Sequence, residues 1–125
     1  MQNFNEQWKT FKTSRDGNSL KRFNNWQVSD QGNIRIVYST GEIRYPKIHE
    51  CGGHESTGRY KCLSINDFKY VHRIVAQEFC YHPGGIDMTV DHINGDKHDN
   101  RAENLRWCTN AENIRFYKQS IKQIA

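Results

Sequence analysis

The sequence predicts an α+β fold: a small antiparallel β meander followed by a strand–loop–strand hairpin and a C-terminal helix. Three observations carry this. Between Trp26 and Tyr45, β-branched and aromatic runs alternate with turn signals rich in Gly, Asn and Asp. Between Met88 and Trp107, two short apolar runs flank a long polar loop. From Thr109 onward the apolar spacing becomes helical. A chain of 125 residues has room for one compact domain, or for a small domain with an appended module.

Taken in order, residues 1–24 show no clean period. Phe4, Trp8, Phe11, Leu20 and Phe23 are candidates to dock on a neighbouring surface, and Arg15-Asp16-Gly17-Asn18-Ser19 reads as a turn. Trp26-Gln27-Val28 is a strand that enters the turn Asp30-Gln31-Gly32-Asn33, where side-chain amides and glycine favour chain reversal. Ile34 to Tyr38 returns, Ser39 to Glu42 turns again, and Ile43-Arg44-Tyr45 completes the meander. Arg35, Arg44 and Lys47 are expected on or beside one face, with Tyr38 and Tyr45 nearby. Glu50 to Gly58 reads as a glycine-rich loop, and His49-x-Cys51-x-x-His54 within it as ordinary loop content rather than a metal cluster. Tyr60 to Ile65 is a strand, Asn66-Asp67 a turn, and Phe68-Lys69-Tyr70 a returning strand. Val71, Ile74, Val75 and Phe79 then recur at i, i+3, i+4 and i+8, one apolar face of a helix. Pro83 and Gly84 follow its end. His72 on that helix reads as an ordinary surface or packed histidine.

Composition excludes some classes. Charged residues are 26% and apolar residues 35%, and no apolar run approaches the roughly 20 residues of a membrane helix. The N-terminus lacks the apolar core of a signal peptide, so a cytoplasmic location without membrane contact is expected. In that compartment the four cysteines, none in a C-x-x-C pair, read as free thiols. A net charge of +4 suits a polyanionic partner without identifying one.

The chemistry concentrates at Val90-Asp91-His92-Ile93-Asn94-Gly95, Asp99-Asn100-Arg101 and Asn104-Leu105-Arg106-Trp107. On a strand, Asp91 and His92 point to different faces and can take different tasks, one on a metal and one on a water. Leu105-Arg106-Trp107 is the returning strand of the hairpin. Thr109-x-x-Glu112 is a capping box that starts the last helix, whose apolar positions are Ile114, Tyr117, Ile121 and Ile124. Asn113 sits in its first turn at the margin of that face, where the helix N-terminus favours phosphate. A calcium loop over Asp91 to Asn100 is disfavoured, because Ile93 takes the third position of the usual template.

Together with His72-Arg73-Ile74-Val75-Ala76-Gln77-Glu78-Phe79 and Asn113, these motifs resemble an HNH endonuclease of the His-Me finger (ββα-metal) type, in particular the small endonucleases of phages and mobile introns. The likeness covers about the last half of the chain. More loosely, Trp26 to Arg35, with Trp8-Lys9 as an opening, is similar to the β-rich DNA-binding module that precedes such nucleases. The resemblance implies a DNA-binding module over residues 1–58 and a His-Me finger nuclease core over residues 59–125. It implies that Asp91 and Asn113 are metal ligands, in places where many relatives carry His. His92 becomes the general base, and Asn104 the residue that fixes the loop and orients the histidine. An oxygen-rich ligand set suits one Mg²⁺ or Mn²⁺ ion better than Zn²⁺. Without a helix-turn-helix before Ala125, long site-specific recognition is not expected.

The expected activity is metal-dependent hydrolysis of DNA phosphodiesters, by a monomer that nicks or a homodimer that cuts both strands. Arg101, Arg106 and Arg115 are candidate phosphate contacts beside the site, and Arg35, Arg44 and Lys47 on the N-terminal sheet. The alternative is a DNA-binding protein that retains this fold without cutting. A structural zinc protein ranks third.

Overall fold

The predicted meander forms, and it gains one further strand on its outer edge. In the computed structural model, which describes residues 5–11, 25–56, 58–64, 68–84 and 87–124, β1 (Trp8–Thr10), β2 (Asn25–Ser29), β3 (Ile34–Val37) and β4 (Ile43–Arg44) make an antiparallel sheet in that order. The expected turns at Arg15–Ser19 and Asn66-Asp67, and the docking of Phe4, Leu20 and Phe23, lie outside the described residues. The β2–β3 turn is built by its own polar groups. Ser29 Oγ accepts from the backbone N–H of Gln31 (3.2 Å) and of Asn33 (3.1 Å). Gly32 takes φ +85°, a conformation that side chains resist.

The register decides which faces these strands present. Arg35 lies opposite Gln27, whereas Arg44 lies opposite Ile36. Successive residues alternate between faces, so Arg35 and Arg44 project to opposite sides of the sheet and do not share the face expected for them. Val28 and Ile34 point inward and are buried.

A second sheet follows: β5 (His49–His54), β6 (Gly58–Ser64) and β7 (Phe68–Tyr70). Here the structure corrects the expected loop over Glu50 to Gly58. Glycines disfavour strands on their own, but β6 offers a paired backbone from His49↔Cys62 to His54↔Gly58, with a bulge between Cys51 and His54. Gly53 permits that bulge: its φ is +64°, and a Cβ there would lie 2.3 Å from Gly58 O. The same pairing draws Cys51 and Cys62 together as a disulfide, Cα–Cα 6.3 Å. The expectation of free thiols therefore applies to Cys80 and Cys108 alone. Spacing along the chain could not reveal a pairing that depends on strand register.

Helix α1 (Val71–Phe79) buries Val71, Ile74, Val75 and Ala76. Behind it, β8 (Met88–His92) and β9 (Leu105–Thr109) form the expected hairpin, with Asp91 opposite Arg106 and His92 opposite Leu105. One core joins all of this. Phe11, Val28 and Ile34 from the N-terminal part meet Leu63, α1, Val90 and Leu105. No helix is long and apolar enough to cross a membrane among the described residues.

Helix α2 (Asn110–Ile124) begins at the predicted capping box. Thr109 N–H donates to Glu112 Oε1 (3.0 Å), and Glu112 N–H donates to Thr109 Oγ1 (3.2 Å). Its orientation differs from expectation. Ile114 and Tyr117 are 56% and 61% exposed, while Asn113 and Phe116 are half-buried. On that side the Arg106 guanidinium of β9 sits 3.5 Å over the Phe116 ring, a cation–π contact that favours burying Phe116.

Candidate active site

Alternation along β8 separates its two chemical groups. Val90 and His92 face the interior, whereas Asp91 is half-buried on the other side. His92 is buried, and its Nε2 lies 2.8 Å from Asn100 Oδ1. A side-chain carbonyl oxygen can only accept, so Nε2 carries the hydrogen and Nδ1 keeps a lone pair. Burial lowers the His92 pKa, opposed by the Asn100 hydrogen bond and by the charges of Asp91, Asp96 and Asp99. The neutral imidazole is therefore favoured, the form that can accept a proton.

The polar loop between the strands is closed by Asn104. Its Nδ2 donates to Asn94 Oδ1 and to Asp99 O, both at 2.9 Å. Its Oδ1 accepts from Asn94 N–H at 3.0 Å, and its backbone carbonyl accepts from Ile93 N–H at 2.8 Å. One side chain thereby ties the residues after His92 to the far limb of the loop. Asp99 and Arg101 reinforce that limb with two hydrogen bonds of 2.8 Å, and Arg101 also pairs with Glu103. The Arg101 hydrogen bonds hold the Asp99 carboxyl down at about 2.

Asp91 Oδ2 accepts from Arg106 Nε at 2.9 Å. Asn113 lies in the first turn of α2, the helix that packs on β8 and β9. Among the described residues no group of three or more His, Cys, Asp or Glu side chains converges. A cation here would accordingly rest on a carboxylate and an amide oxygen, completed by water or phosphate oxygens. Hard divalent ions such as Mg²⁺ accept that donor set, and Zn²⁺ in a closed structural site does not. Asp91 keeps its second oxygen outside the Arg106 hydrogen bond, so the residues present fit such an ion.

A wall of rings, not anticipated from the sequence, encloses His92. Tyr60 on β6 stacks on His72 at 4.8 Å between centroids, and His72 lies 5.0 Å from His92. Tyr70 approaches His72 at 5.4 Å. His72 is thus a packed residue. Burial first, then the neighbouring His92 and Arg73, lowers its pKa to about 3. Its Nδ1 is buried with no hydrogen-bond partner among the described residues. A residue that the sequence reading missed is Asn100. It stood inside the motif Asp99-Asn100-Arg101, but nothing in the spacing links it to His92 rather than to solvent.

The candidate phosphate contacts are dispersed. Arg35 lies 3.9 Å over the Trp8 ring and donates to Gln27 Oε1 at 2.8 Å. Arg44 pairs with Glu42 at 3.1 Å. Arg101 and Arg106 are held by Asp99, Glu103 and Asp91 around the hairpin. Lys47 and Arg115 are exposed.

Comparison with known proteins follows the same segment. Residues 69–115 match the family model described as HNH endonuclease. The chain is 50% identical over 97 residues to the uncharacterized HNH endonuclease L247 of Acanthamoeba polyphaga mimivirus, covering 76% of this chain and 23% of that one. It is 34% identical over 93 residues to the DNA endonuclease I-HmuI of Bacillus phage SP01, covering 71% of this chain and 49% of that one. The chain thus spans less than half the length of either relative. A solved structure described as DNA binding and cleavage by the HNH homing endonuclease I-HmuI superposes with a TM-score of 0.57 at 25% identity, over 95% of this chain and 66% of that one.

Proposed function

From the match of residues 69–115 to the HNH endonuclease family model, we propose that the chain hydrolyses phosphodiester bonds of DNA with the help of one divalent metal ion. The observation that carries the reading is a buried His92 whose Nε2 is committed to Asn100, on the same strand as the Asp91 carboxylate. His92 Nδ1 takes a proton from the attacking water, a contribution of about 10²–10⁴-fold in rate. Asn104 keeps the loop closed so that the imidazole stays aimed. Asp91 and Asn113 would hold Mg²⁺ or Mn²⁺, which would neutralise charge on the scissile phosphate and the leaving 3′ oxygen. Arg101, Arg106 and Arg115 contact flanking phosphates. Residues 1–58, with Arg35, Arg44 and Lys47, grip the DNA backbone, while residues 59–125 carry the chemistry. Binding should accordingly weaken as salt rises.

A plasmid-cleavage assay with Mg²⁺, Mn²⁺ and EDTA tests this. Cleavage should require the cation and disappear in both His92→Ala and Asp91→Ala, with DNA binding retained. Cleavage that persists in EDTA and in His92→Ala overturns it. The Arg106–Asp91 pair favours a second reading, a DNA-binding protein that does not cut, because it engages one oxygen of the proposed ligand. Gel-shift binding without cleavage under every metal condition would support that reading instead.

A further inference from the structure

The turn between β2 and β3 belongs to the N-terminal sheet, yet it abuts the hairpin loop. Asp30 O accepts from Ala102 N–H at 2.7 Å. Gly32 comes so close to Asn100 that a Cβ on it would lie 2.9 Å from Asn100 O and 3.0 Å from Asn100 Cβ. Asn100 is only 4% exposed, and its amide oxygen meets His92 Nε2. We infer that Asn100 is a positioning residue for His92, and that the β2–β3 turn holds Asn100 in place. The inference rests on the proposed role of His92 as the base.

The physical argument concerns the ring, not the loop. An imidazole can turn over about its Cβ–Cγ bond and exchange its two faces, and it can move its hydrogen between nitrogens. An acceptor fixed at Nε2 blocks both, so the lone pair stays on Nδ1. Asn104 cannot do this, because its side-chain hydrogen bonds go to Asn94 and the Asp99 carbonyl. The stacked His72 and Tyr60 rings restrict tilt but offer His92 no acceptor at Nε2. Asn100 lies in the loop between β8 and β9, with Gly32 packed against its backbone and the Asp30 carbonyl bonded to the nearby Ala102 N–H. The sheet that grips DNA in the proposed function thus also backs the residue that aims the base.

The test compares cleavage, binding and melting for Asn100→Leu, Asn100→Asp, Gly32→Ala and His92→Ala on one duplex with Mn²⁺. Asn100→Leu keeps the side-chain size and removes the acceptor; it should lower kcat about tenfold or more, with KM and DNA affinity nearly unchanged. Asn100→Asp restores an acceptor and should recover most of the rate. Gly32→Ala should slow the wild type but add nothing in the Asn100→Leu background. Wild-type kcat in Asn100→Leu, no rescue by Asn100→Asp, or full additivity with Gly32→Ala overturns the inference. If Asn100→Leu does not fold, long-range ¹H–¹⁵N spectra of the wild-type protein decide: His92 protonated at Nε2 agrees, and at Nδ1 it overturns. An active His92→Ala defeats the base itself, whereas an inactive His92→Ala beside a fully active Asn100→Leu defeats only the positioning role.

Discussion

His72 shows how much one side chain depends on what surrounds it. In the unfolded chain it titrates near the ordinary 6.5, but in the fold burial and the neighbouring His92 and Arg73 bring it to about 3. Between those values the unfolded chain binds a proton that the fold excludes, so stability is full above about pH 6.5 and falls as pH drops toward 3. His92, shifted in the same direction, adds to the slope. Urea midpoints measured from pH 7 to 4 should decline, and His72→Phe should flatten the decline; equal slopes in both proteins would contradict this. Asn104 is the other residue with a large expected effect. Asn104→Ala removes the side-chain hydrogen bonds that tie Asn94 to Asp99 and should cost about 2–3 kcal/mol at roughly 1 kcal/mol each, read from urea denaturation. Asp91, His92, Asn104 and Asn113 were all legible as residues of interest. The Asn100 partner was not, because a hydrogen bond between positions eight apart leaves no periodic trace in a loop.

At the level of elements, local chemistry and tertiary partners can be separated. The capping box of α2 is local, and the structure contains both of its hydrogen bonds. Thr109→Ala should therefore cost about 1 kcal/mol, seen as a lower melting temperature with little change in the rest of the fold. The face that α2 presents was not local. Its apolar spacing selected Ile114 and Tyr117, but these are exposed, and it is Phe116 that meets Arg106 of β9. Strand β5 is the opposite case to the capping box. Its glycines and turn-like composition describe a loop, and only pairing with β6 makes it a strand.

Across the whole molecule, the core passes through the junction between the two parts proposed to bind and to cleave DNA. Val28 and Ile34 pack with Leu63, Val75 and Leu105, and β5 pairs with β6 across residue 58. Residues 59–125 made alone keep the β6–β7 pairing but lose β5, the other partner of β6, and the meander's share of the core. That fragment should fail to melt cooperatively by circular dichroism, while the full chain shows one transition; a cooperative fragment would show that residues 59–125 fold independently. The division of labour proposed between DNA grip and cleavage is then a division of surface and not of folding.

The sequence by itself determined the α+β class, the meander, the hairpin with its polar loop, the start of α2 and the likeness to HNH endonucleases. Each of these rests on short-range spacing: turn residues, alternation, a capping box, a compact motif. Tertiary structure alone decided that Asn100 meets His92, that His72 and Tyr60 wall it in, that Arg35 and Arg44 take opposite faces, and that Cys51 joins Cys62. Those outcomes depend on strand register and on which surfaces meet across the core. Both are settled by burial and backbone pairing between segments far apart in the chain, which no local pattern records.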